Sequence, residues 1–378
     1  MISRFIVFLF SLFLLTSCSS LSPDYNGNII PNNDISKKNI KASEANIESN
    51  TLNIALVVPL GKEKEHIGNS LVKAAQLAVS DANNPHVNLT LINSELIDTS
   101  PEILLSKLKN NKVQIVIGPL YGPETTKISS LVKDKNITIL SLSNDSTLKS
   151  DSLLIMGISP DCQTRIITNY AIGKGITHFH LLLPNNKYGQ LIDSSVENIV
   201  VDKNNITHSI NWYNPDNTEQ VIDQLLVSID NKEDQAILMP QGGENLSLLN
   251  TALSKHKLNN VTILGLQSWD HPNILEKKSL NNAVFLRKNI SAEQFYDNFS
   301  RTFNLAGSNI DFITYNSIMM AINMNRDQLP MDKNTILENN KIYGKYSNVI
   351  FDQQGQSLYK LEITKIEKNE LKIIETNP

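Results

Sequence analysis

The chain has 378 residues, of which 40% are hydrophobic and 19% are charged, and its formal net charge is -4. The length is typical of two domains or lobes of roughly 150 residues, each able to bury its own core, and it excludes a small disulfide-stapled scaffold. Because the composition is mildly acidic and has no long block of Lys or Arg, it argues against a nucleic-acid partner.

The N-terminus has the pattern of an export signal. Arg4 is followed by an apolar stretch over residues 5–15, which is shorter than the ~20 apolar residues that span a bilayer. This pattern predicts a secretory signal peptide over residues 1–17 rather than an N-terminal core strand. The sequence Leu15-Thr16-Ser17-Cys18 resembles a bacterial lipobox, which implies that Cys18 is lipidated, and the following Ser19 implies transfer to the outer membrane.

The segment after the lipobox differs in composition from the rest of the chain. Residues 18–50 are rich in Ser, Asn, Pro, Lys and Glu and lack apolar periodicity, so they are predicted to form a disordered tether between the lipid anchor and a folded body. With Cys18 lipidated, Cys162 is the only other cysteine, and the fold is expected to hold without an intramolecular disulfide. Cys162 is interpreted as a small packed side chain near a helix start.

Beyond residue 50, short apolar runs alternate with helical stretches. Residues 53–58 are predicted to form a buried strand, and the spacing of Ile67, Leu71, Ala74 and Ala78 predicts a helix after it. Because parallel neighbouring strands need crossover helices, the alternation predicts two doubly wound, Rossmann-like α/β lobes. The further elements predicted in chain order are strand 87–92, helix 101–110, strand 113–117, helix 123–134, strand 137–140, helix 161–172, strand 177–182, helix 187–199, strand 206–211, helix 218–229, strand 235–239, helix 244–255, strand 261–264, strand 283–287, helix 291–304 and helix 311–325.

The C-terminal third is expected to pass between the lobes rather than to form a third unit. The chain is predicted to cross from one lobe to the other at three places, here called passages, so each lobe consists of two separate segments. We expect the passages at about 158–162, 286–290 and 327–345, with a first lobe of about residues 51–159 and 288–328 and a second of about residues 160–287 and 345–378.

Several stretches resemble the type I periplasmic binding proteins of the leucine-binding class. The resemblance spans about residues 52–365 and implies two lobes joined by a multi-strand hinge, with a ligand cleft between them. The stretches are Ile54-Ala55-Leu56-Val57-Val58-Pro59-Leu60, Ala74-Ala75-Gln76-Leu77-Ala78, Val116-Ile117-Gly118-Pro119-Leu120, Leu183-Pro184-Asn185-Asn186-Lys187-Tyr188-Gly189 and Phe351-Asp352-Gln353-Gln354-Gly355.

Four further matches resemble one branch of that class, the penicillin-binding protein activators. The branch implies a lipoprotein that regulates a peptidoglycan synthase by contact. The matches, in chain order, are Leu140-Ser141-Leu142-Ser143-Asn144-Asp145, Met156-Gly157-Ile158-Ser159-Pro160, Leu238-Met239-Pro240-Gln241-Gly242-Gly243 and Leu264-Gly265-Leu266-Gln267-Ser268-Trp269-Asp270.

Candidate cleft residues follow from the position of ligand sites in open α/β sheets. Ligands bind outside the carboxyl ends of the strands, where the connections diverge. Turn formation and core packing are the alternative roles for these residues, with core packing weighed for Trp269 in particular. The candidates are Leu120, Tyr121, Gly122, Ser143, Asn144 and Asp145 in the first lobe and Tyr188, Gln241, Gly242 and Trp269 in the second.

Two of the candidate loops differ from those of amino-acid receptors in this class. In such receptors, hydroxyls and backbone amides bind the α-carboxylate of the ligand. Here the loops read Tyr121-Gly122-Pro123-Glu124 and Ser143-Asn144-Asp145, and their acids would repel a carboxylate unless they are protonated or turned away. The alternative function remains a substrate-binding lipoprotein that delivers a branched-chain or polar amino acid to an ABC permease.

The sequence offers no positive sign of catalysis. His178 and His180 share one face of a predicted strand, but no Cys or acidic residue at metal-ligand spacing accompanies them. Nucleophile-elbow, phosphate-loop and zinc-protease motifs are absent from the sequence. We therefore expect a protein that is not an enzyme and needs neither a metal nor another cofactor.

Overall fold

The computed structural model describes residues 51–376 apart from 231, 257, 259, 289–291, 340–341, 344 and 347. The predicted signal peptide, the predicted lipidation site at Cys18 and the predicted tether lie outside the described residues. Within the described part, strands and helices alternate, which confirms the α/β class expected from the sequence.

The central strands of the first sheet are buried on both faces. All neighbouring strands of this sheet are parallel, in the order β2-β1-β3-β4-β5. Such strands need helices on both sides of the sheet, and the helices that follow β1, β2 and β3 provide part of this cover. The elements are β1 Leu52–Val58, α1 Glu65–Ala82, β2 Val87–Asn93, α2 Leu96–Thr99, α3 Pro101–Asn110, β3 Ile115–Ile117, α4 Gly122–Val132, β4 Thr138–Ser141 and β5 Leu153–Ile155.

The next part of the chain repeats the pattern in a second sheet, and short 3-10 helices between residues 267 and 280 precede its last parallel strand. The elements are α5 Pro160–Gly173, β6 His178–Pro184, α6 Lys187–Val200, β7 Thr207–Tyr213, α7 Thr218–Ser228, β8 Gln235–Met239, α8 Gly243–Lys255, β9 Thr262–Gly265 and β10 Val284–Lys288. Ser159 caps α5 by accepting a hydrogen bond from the backbone N–H of Cys162 at 3.1 Å. Cys162 is therefore buried in the first turn of a helix.

The remaining chain returns to the first sheet and then to the second. The elements are α9 Glu293–Phe303, α10 Asn309–Arg326, α11 Lys333–Glu338, β11 Ile342–Tyr343, β12 Asn348–Phe351, β13 Ser357–Leu358, β14 Leu361–Glu367 and β15 Glu370–Thr376. Strands β14 and β15 extend the second sheet in antiparallel fashion, giving the order β15-β14-β10-β9-β8-β6-β7. Strands β11 to β13 form a small antiparallel sheet of their own.

The core of the first lobe includes most of the returning chain. Helix α10 packs against α1, and its side chains are buried along nearly the whole length of the helix. Residues as late as Val349, Phe351 and Tyr359 belong to the same core as β1. The structure therefore places the third passage between Phe351, in the first-lobe core, and Leu361, in the second-lobe core, rather than within residues 327–345.

Two of the passages between the lobes are joined by hydrogen bonds. The backbone N–H of Ile155 donates to the carbonyl of Gly355 at 2.8 Å. The side-chain amide of Gln356 donates to the carbonyl of Gly157 at 2.8 Å, and the hydroxyl of Ser357 donates to the carbonyl of Met156 at 3.0 Å. The first and third passages thus run side by side.

Candidate functional site

The loops after β3 and β4 form one wall of a cavity between the two sheets. Gly118, directly after β3, has a φ of +97°, and a Cβ there would collide with the carbonyl of Val57, so this turn requires glycine. The turn presents Leu120 and Tyr121 to the cavity, and Asn144 reaches it from the loop after β4. These three of the ten predicted cleft residues line the cavity.

The cavity has a volume of about 760 Å³, which falls within the range of small-molecule sites. Two glutamines, Gln163 and Gln267, form its second-lobe wall. They are joined by a hydrogen bond, in which the side-chain carbonyl of Gln163 accepts from the backbone N–H of Gln267 at 3.0 Å. The described residues that line it are His66, Ile67, Ser70, Leu120, Tyr121, Leu142, Asn144, Gly157, Ile158, Gln163, Gln267, Leu305, Ala306, Ser308, Asn309, Ile310, Asp311 and Ile313.

Charged side chains are scarce in this lining. Among the described residues that form it there is no Lys or Arg, and Asp311 is the single carboxylate. Asp311 is fully buried, and one of its oxygens accepts hydrogen bonds from the backbone N–H and the hydroxyl of Ser308, at 2.7 and 2.6 Å. These bonds form a capping box at the start of α10. The cavity is therefore mainly apolar, with uncharged amides on its walls.

The acidic side chains of the two loops are turned away from the cavity. Glu124 accepts a hydrogen bond from the hydroxyl of Ser94 at 3.1 Å, and burial raises the pKa of its carboxyl. Asp145 contacts the ammonium of Lys187 at 2.7 Å, an ion pair that joins the loop after β4 to the first turn of α6. The repulsion of a carboxylate expected from these acids does not arise in this arrangement, because neither acid lines the cavity.

The pKa of Asp145 reflects two opposing influences. Burial pulls the pKa of Asp145 upward, but hydrogen bonds from Lys187 and Thr147 outweigh it. The pKa of this carboxyl therefore lies below its ordinary value, and Asp145 is ionised at neutral pH. Asp145 acts as one half of a bridge between the lobes.

Two other first-lobe candidates have structural roles in the same loops. The hydroxyl of Ser143 is buried and accepts a hydrogen bond from the backbone N–H of Asp145 at 3.1 Å. Gly122 begins α4, where a Cβ would lie 3.1 Å from a carboxylate oxygen of Asp145. Neither residue lines the cavity.

The second-lobe candidates are used mainly in packing. Trp269 is fully buried, its ring is tilted against Phe285 at a centroid distance of 6.2 Å, and its indole N–H donates to the carbonyl of Gln241 at 3.2 Å. The prediction that Trp269 is a cleft residue is therefore wrong, and its alternative role in the core is the observed one. A Cβ on Gly242 would collide with the carbonyl of Ser268, so this glycine allows the two loops to meet.

Gln241 and Tyr188 also lie outside the cavity lining. The side-chain carbonyl of Gln241 accepts hydrogen bonds from the hydroxyl of Tyr213 at 2.6 Å and from the amide of Asn245 at 2.7 Å. Tyr188, in the first turn of α6, packs on the second-lobe core, and burial raises the pKa of its phenol to about 12. The structure thus brings Gln241, Gly242 and Trp269 together, but in a packing contact.

Sequence reasoning missed Gln163 and Gln267 of the second lobe and the first-lobe residues within 305–313 that line the cavity. Gln267 follows β9 in the same loop as Trp269, so the strand-end argument could have selected it. Gln163 lies in the first turn of α5, and residues 305–313 span the end of the connection between α9 and α10 and the start of α10. Helix α5 follows β5, which was not among the predicted strands, and residues 305–313 follow a helix, so the strand-end argument could not select either segment.

The two strand histidines are held by side chains of their neighbours. A ring nitrogen of His178 lies 2.6 Å from the hydroxyl of Thr207, and the ring nitrogens of His180 lie 3.0 Å from Ser209 and Gln235.

Within the residues that the structure describes, no three His, Cys, Asp or Glu side chains cluster in a metal-binding arrangement. Among the same residues, none of the helices combines the length and apolarity that crossing a bilayer requires.

Comparison with protein families identifies the chain. The family model described as "LppC putative lipoprotein" matches residues 38–256, which is more than half of the chain. The chain belongs to the LppC family. A curated relative of this LppC protein, "Uncharacterized protein RP748" of Rickettsia prowazekii, is 26% identical over 225 residues, and the match covers 57% of the chain and 60% of the relative.

Solved structures show that the LppC protein has the type I periplasmic binding protein fold expected from the sequence. A branched-chain amino acid ABC transporter periplasmic ligand-binding protein from Burkholderia xenovorans has a TM-score of 0.67 at 12% identity, over 86% of this chain and 95% of that one. LivJ from Streptococcus pneumoniae, solved with isoleucine, has a TM-score of 0.63 at 16% identity, over 86% and 99% of the two chains. LpoA from Haemophilus influenzae has a TM-score of 0.65 at 13% identity, and the match covers 86% of this chain and 59% of LpoA.

Proposed function

We propose that this LppC lipoprotein acts without catalysis, from a lipid anchor at Cys18 in the outer membrane, and regulates peptidoglycan synthesis by contacting a penicillin-binding protein. The proposal extends the sequence resemblance to penicillin-binding protein activators, and it is supported by the fold shared with LpoA. Membership of a lipoprotein family supports the anchor. The choice of the outer membrane rests on Ser19 after the predicted lipidation site.

One observation favours contact with a protein over capture of an amino acid. The described residues that line the cavity include no Lys or Arg, and the single carboxylate among them, Asp311, has one oxygen engaged in a helix cap and the other buried without a hydrogen-bond partner. A bound amino acid would bring both a carboxylate and an ammonium into this space. Burying a charge without a partner costs several kcal/mol, so without a cationic side chain in the described lining the carboxylate of a zwitterion would depend on hydroxyls and backbone amides alone.

Reconstitution tests the proposal directly. The full-length lipoprotein in detergent is added to purified penicillin-binding proteins of the same bacterium, and binding and glycan polymerisation are both measured. We expect one synthase to bind and to polymerise faster. Absence of binding to every synthase, together with unchanged polymerisation, would refute the proposal.

A second candidate function is a substrate-binding lipoprotein of an ABC transporter for branched-chain or polar amino acids. The observation in its favour is the cavity itself, which lies between the lobes, has a volume of about 760 Å³ and is mainly apolar, as an aliphatic side chain would require. A thermal-shift screen with amino acids tests it. A ligand present at 100 times its dissociation constant stabilises by ~2.7 kcal/mol, which such a screen detects.

One variant separates the two functions. Asn144 is exposed on the cavity wall, so Asn144→Trp fills part of the cavity with little effect on the core. A receptor would lose its response to ligand in this variant, whereas an activator that works through its outer surface would keep its effect on polymerisation. Asn69→Trp, an exposed substitution on α1 outside the lining, is the matched control.

A further inference from the structure

The two edges of the second sheet differ in their protection against pairing with another strand. Strand β15, at one edge, carries Glu370, Lys372 and Glu375, and its register with β14 shifts beside Ile363 as in a β-bulge. Charges and bulges of this kind hinder the addition of a further strand. Strand β7, at the other edge, contains no Lys, Arg, Asp, Glu or Pro, and all seven of its residues pair with β6 in an unbroken parallel register. The edge at β7 is therefore open to pairing.

The backbone of β7 presents alternate residues to its free edge. The N–H of Thr207 donates to the carbonyl of Thr177 at 2.8 Å, and the carbonyl of Tyr213 accepts from the N–H of Asn185 at 2.8 Å. Thr207 and Tyr213 therefore face β6. In a strand the N–H and C=O of one residue point to the same side, and those of the next residue point to the other side. The residues whose backbone groups point away from β6 are His208, Ile210 and Trp212.

The surface around this edge has exposed apolar side chains. Ile210, the central residue of β7, is 36% exposed. Helix α6 covers one face of the strand, where a ring nitrogen of His208 lies 3.4 Å from the carboxylate of Glu197, and α7 also contacts the strand. Both helices end in an exposed valine, Val201 directly after α6 and Val227 in the last turn of α7. An edge strand with an exposed aliphatic side chain and no charge tends to pair with another chain.

The sequence of β7 is complementary to itself when two copies run antiparallel. With the strands centred on Ile210, the cross-strand pairs are Ile210 with Ile210, His208 with Trp212, Ser209 with Asn211 and Thr207 with Tyr213. One face of the pair then joins apolar and aromatic side chains, and the other joins hydroxyl and amide side chains. Centring on Ile210 also makes the outward-pointing residues the hydrogen-bonded pairs, so about six N–H···O bonds can form. Of the three outward-pointing residues, Ile210 is the centre that pairs the whole strand.

We propose that β7 pairs with β7 of a second copy of this chain, antiparallel and centred on Ile210, so that a two-fold symmetric dimer forms through the second lobes. A two-fold axis requires both copies to contribute the same patch, and a self-complementary strand meets this requirement. The outward backbone groups gain partners, and Ile210 is buried against Ile210 of the second copy. The sheets of the two second lobes then continue as one.

The position of β7 leaves the rest of each copy free in such a dimer. Strands β10 and β14, which adjoin the second and third passages, lie toward the opposite edge of the sheet. No residue of β7 is among the described residues that line the cavity between the lobes. Pairing therefore joins the second lobes without covering the passages or the cavity. This inference does not depend on contact with a penicillin-binding protein, because the dimer can form whether or not a synthase responds to it.

Sedimentation of the full-length protein in density-matched detergent tests the proposal. We expect a reversible monomer–dimer equilibrium with a dissociation constant below ~100 μM, since the interface is small. Ile210→Lys places two ammonium groups opposite each other at the axis and should raise this constant at least ~10-fold. Ile373→Lys makes the same change at an isoleucine of β15 that is 43% exposed, and it should leave the constant unchanged.

Cysteine cross-linking tests the register. In the proposed pairing the two Cα atoms at position 210 lie about 5.5 Å apart, which is within the reach of a disulfide. Mild oxidation should therefore convert Ile210→Cys into a covalent dimer, whereas Ile373→Cys should give no more dimer than the unsubstituted protein.

Several outcomes would overturn the proposal. They are a protein that stays monomeric at every concentration, a dimer that survives Ile210→Lys, a dimer weakened equally by Ile373→Lys, and a dimer that Ile210→Cys does not cross-link. A monomer whose binding to a synthase is lost in Ile210→Lys would assign the edge to that synthase and would likewise overturn the pairing of two copies.

Discussion

Three candidate residues at the strand ends of the first lobe face the cavity, whereas the candidate residues at the strand ends of the second lobe pack within that lobe. Leu120, Tyr121 and Asn144 line the cavity, while Gln241 and Trp269 bond to each other across neighbouring strand ends. A residue's position after a strand therefore shows where its backbone lies but not what its side chain does. The comparison predicts that similar substitutions in the two lobes have different effects on stability.

Trp269→Ala should have the largest effect. Trp269 is fully buried against Phe285, so its truncation is expected to lower the free energy of unfolding by roughly 3–5 kcal/mol. Tyr121→Ala, a large aromatic truncation at a half-buried position of the first lobe, is the control and should cost much less. Urea unfolding followed by far-ultraviolet circular dichroism measures both. Equal losses would remove the distinction between the lobes.

Gln241→Ala should have the next largest effect. The substitution leaves the hydroxyl of Tyr213, which is 2% exposed, without its acceptor, at a cost of about 1–3 kcal/mol. Asn144→Ala removes a comparable amide from an exposed first-lobe position and should stay within about 0.5 kcal/mol. The same unfolding measurement applies. A neutral Gln241→Ala would mean that the hydroxyl of Tyr213 finds another partner.

Ser308→Ala tests whether polar residues at the cavity also serve the fold. The hydroxyl of Ser308 donates to Asp311 in the capping box of α10, and loss of such a cap costs about 1 kcal/mol. Ser254→Ala removes an exposed hydroxyl that bonds only within α8 and should be nearly neutral. Thermal unfolding compares the two variants. Equal melting temperatures would show that the cap contributes nothing.

The smallest effect is expected for the ion pair between the lobes. Because Lys187 is 70% exposed, a double-mutant cycle of Asp145→Asn and Lys187→Gln should give a coupling of roughly 0.2–1 kcal/mol, weaker in 1 M salt. The folded-state pKa of Asp145 is lowered, so this contribution is complete above the unfolded value of about 3.9 and is lost as the pH falls through the folded pKa. Coupling that rises on acidification would contradict this assignment.

Most of the order of strands and helices up to residue 326 could be predicted from the sequence, because apolar runs and helical stripes persist over many residues, whereas α2, β5 and the elements after α10 were not predicted. Helix 101–110 and strand 235–239 coincide with the observed α3 and β8, and most other boundaries differ by one to three residues. The third passage between the lobes could not be placed. Val349 and Phe351 are apolar and would suit either core, so their assignment depends on contacts between distant parts of the chain.

The candidate site was less predictable than the fold. The direction of a side chain after a strand depends on the local turn, and single residues such as Gly118 determine that turn. The burial of Trp269 depends on Gly265, since a Cβ at that position would collide with the indole ring. Contacts of this kind can be recognised only when the positions of both residues in the folded chain are known.

The hydrogen bonds of Gln356 and Ser357 to the first passage restrict how the molecule can bend. With two neighbouring segments joined at Gly157 and Met156, rotation of one half relative to the other must deform both segments together. This favours rotation of the two lobes about a single hinge axis over independent twisting of the two segments. Gln356→Ala would remove the amide contact between the two segments, and the protein in solution would then sample a wider range of angles between the lobes.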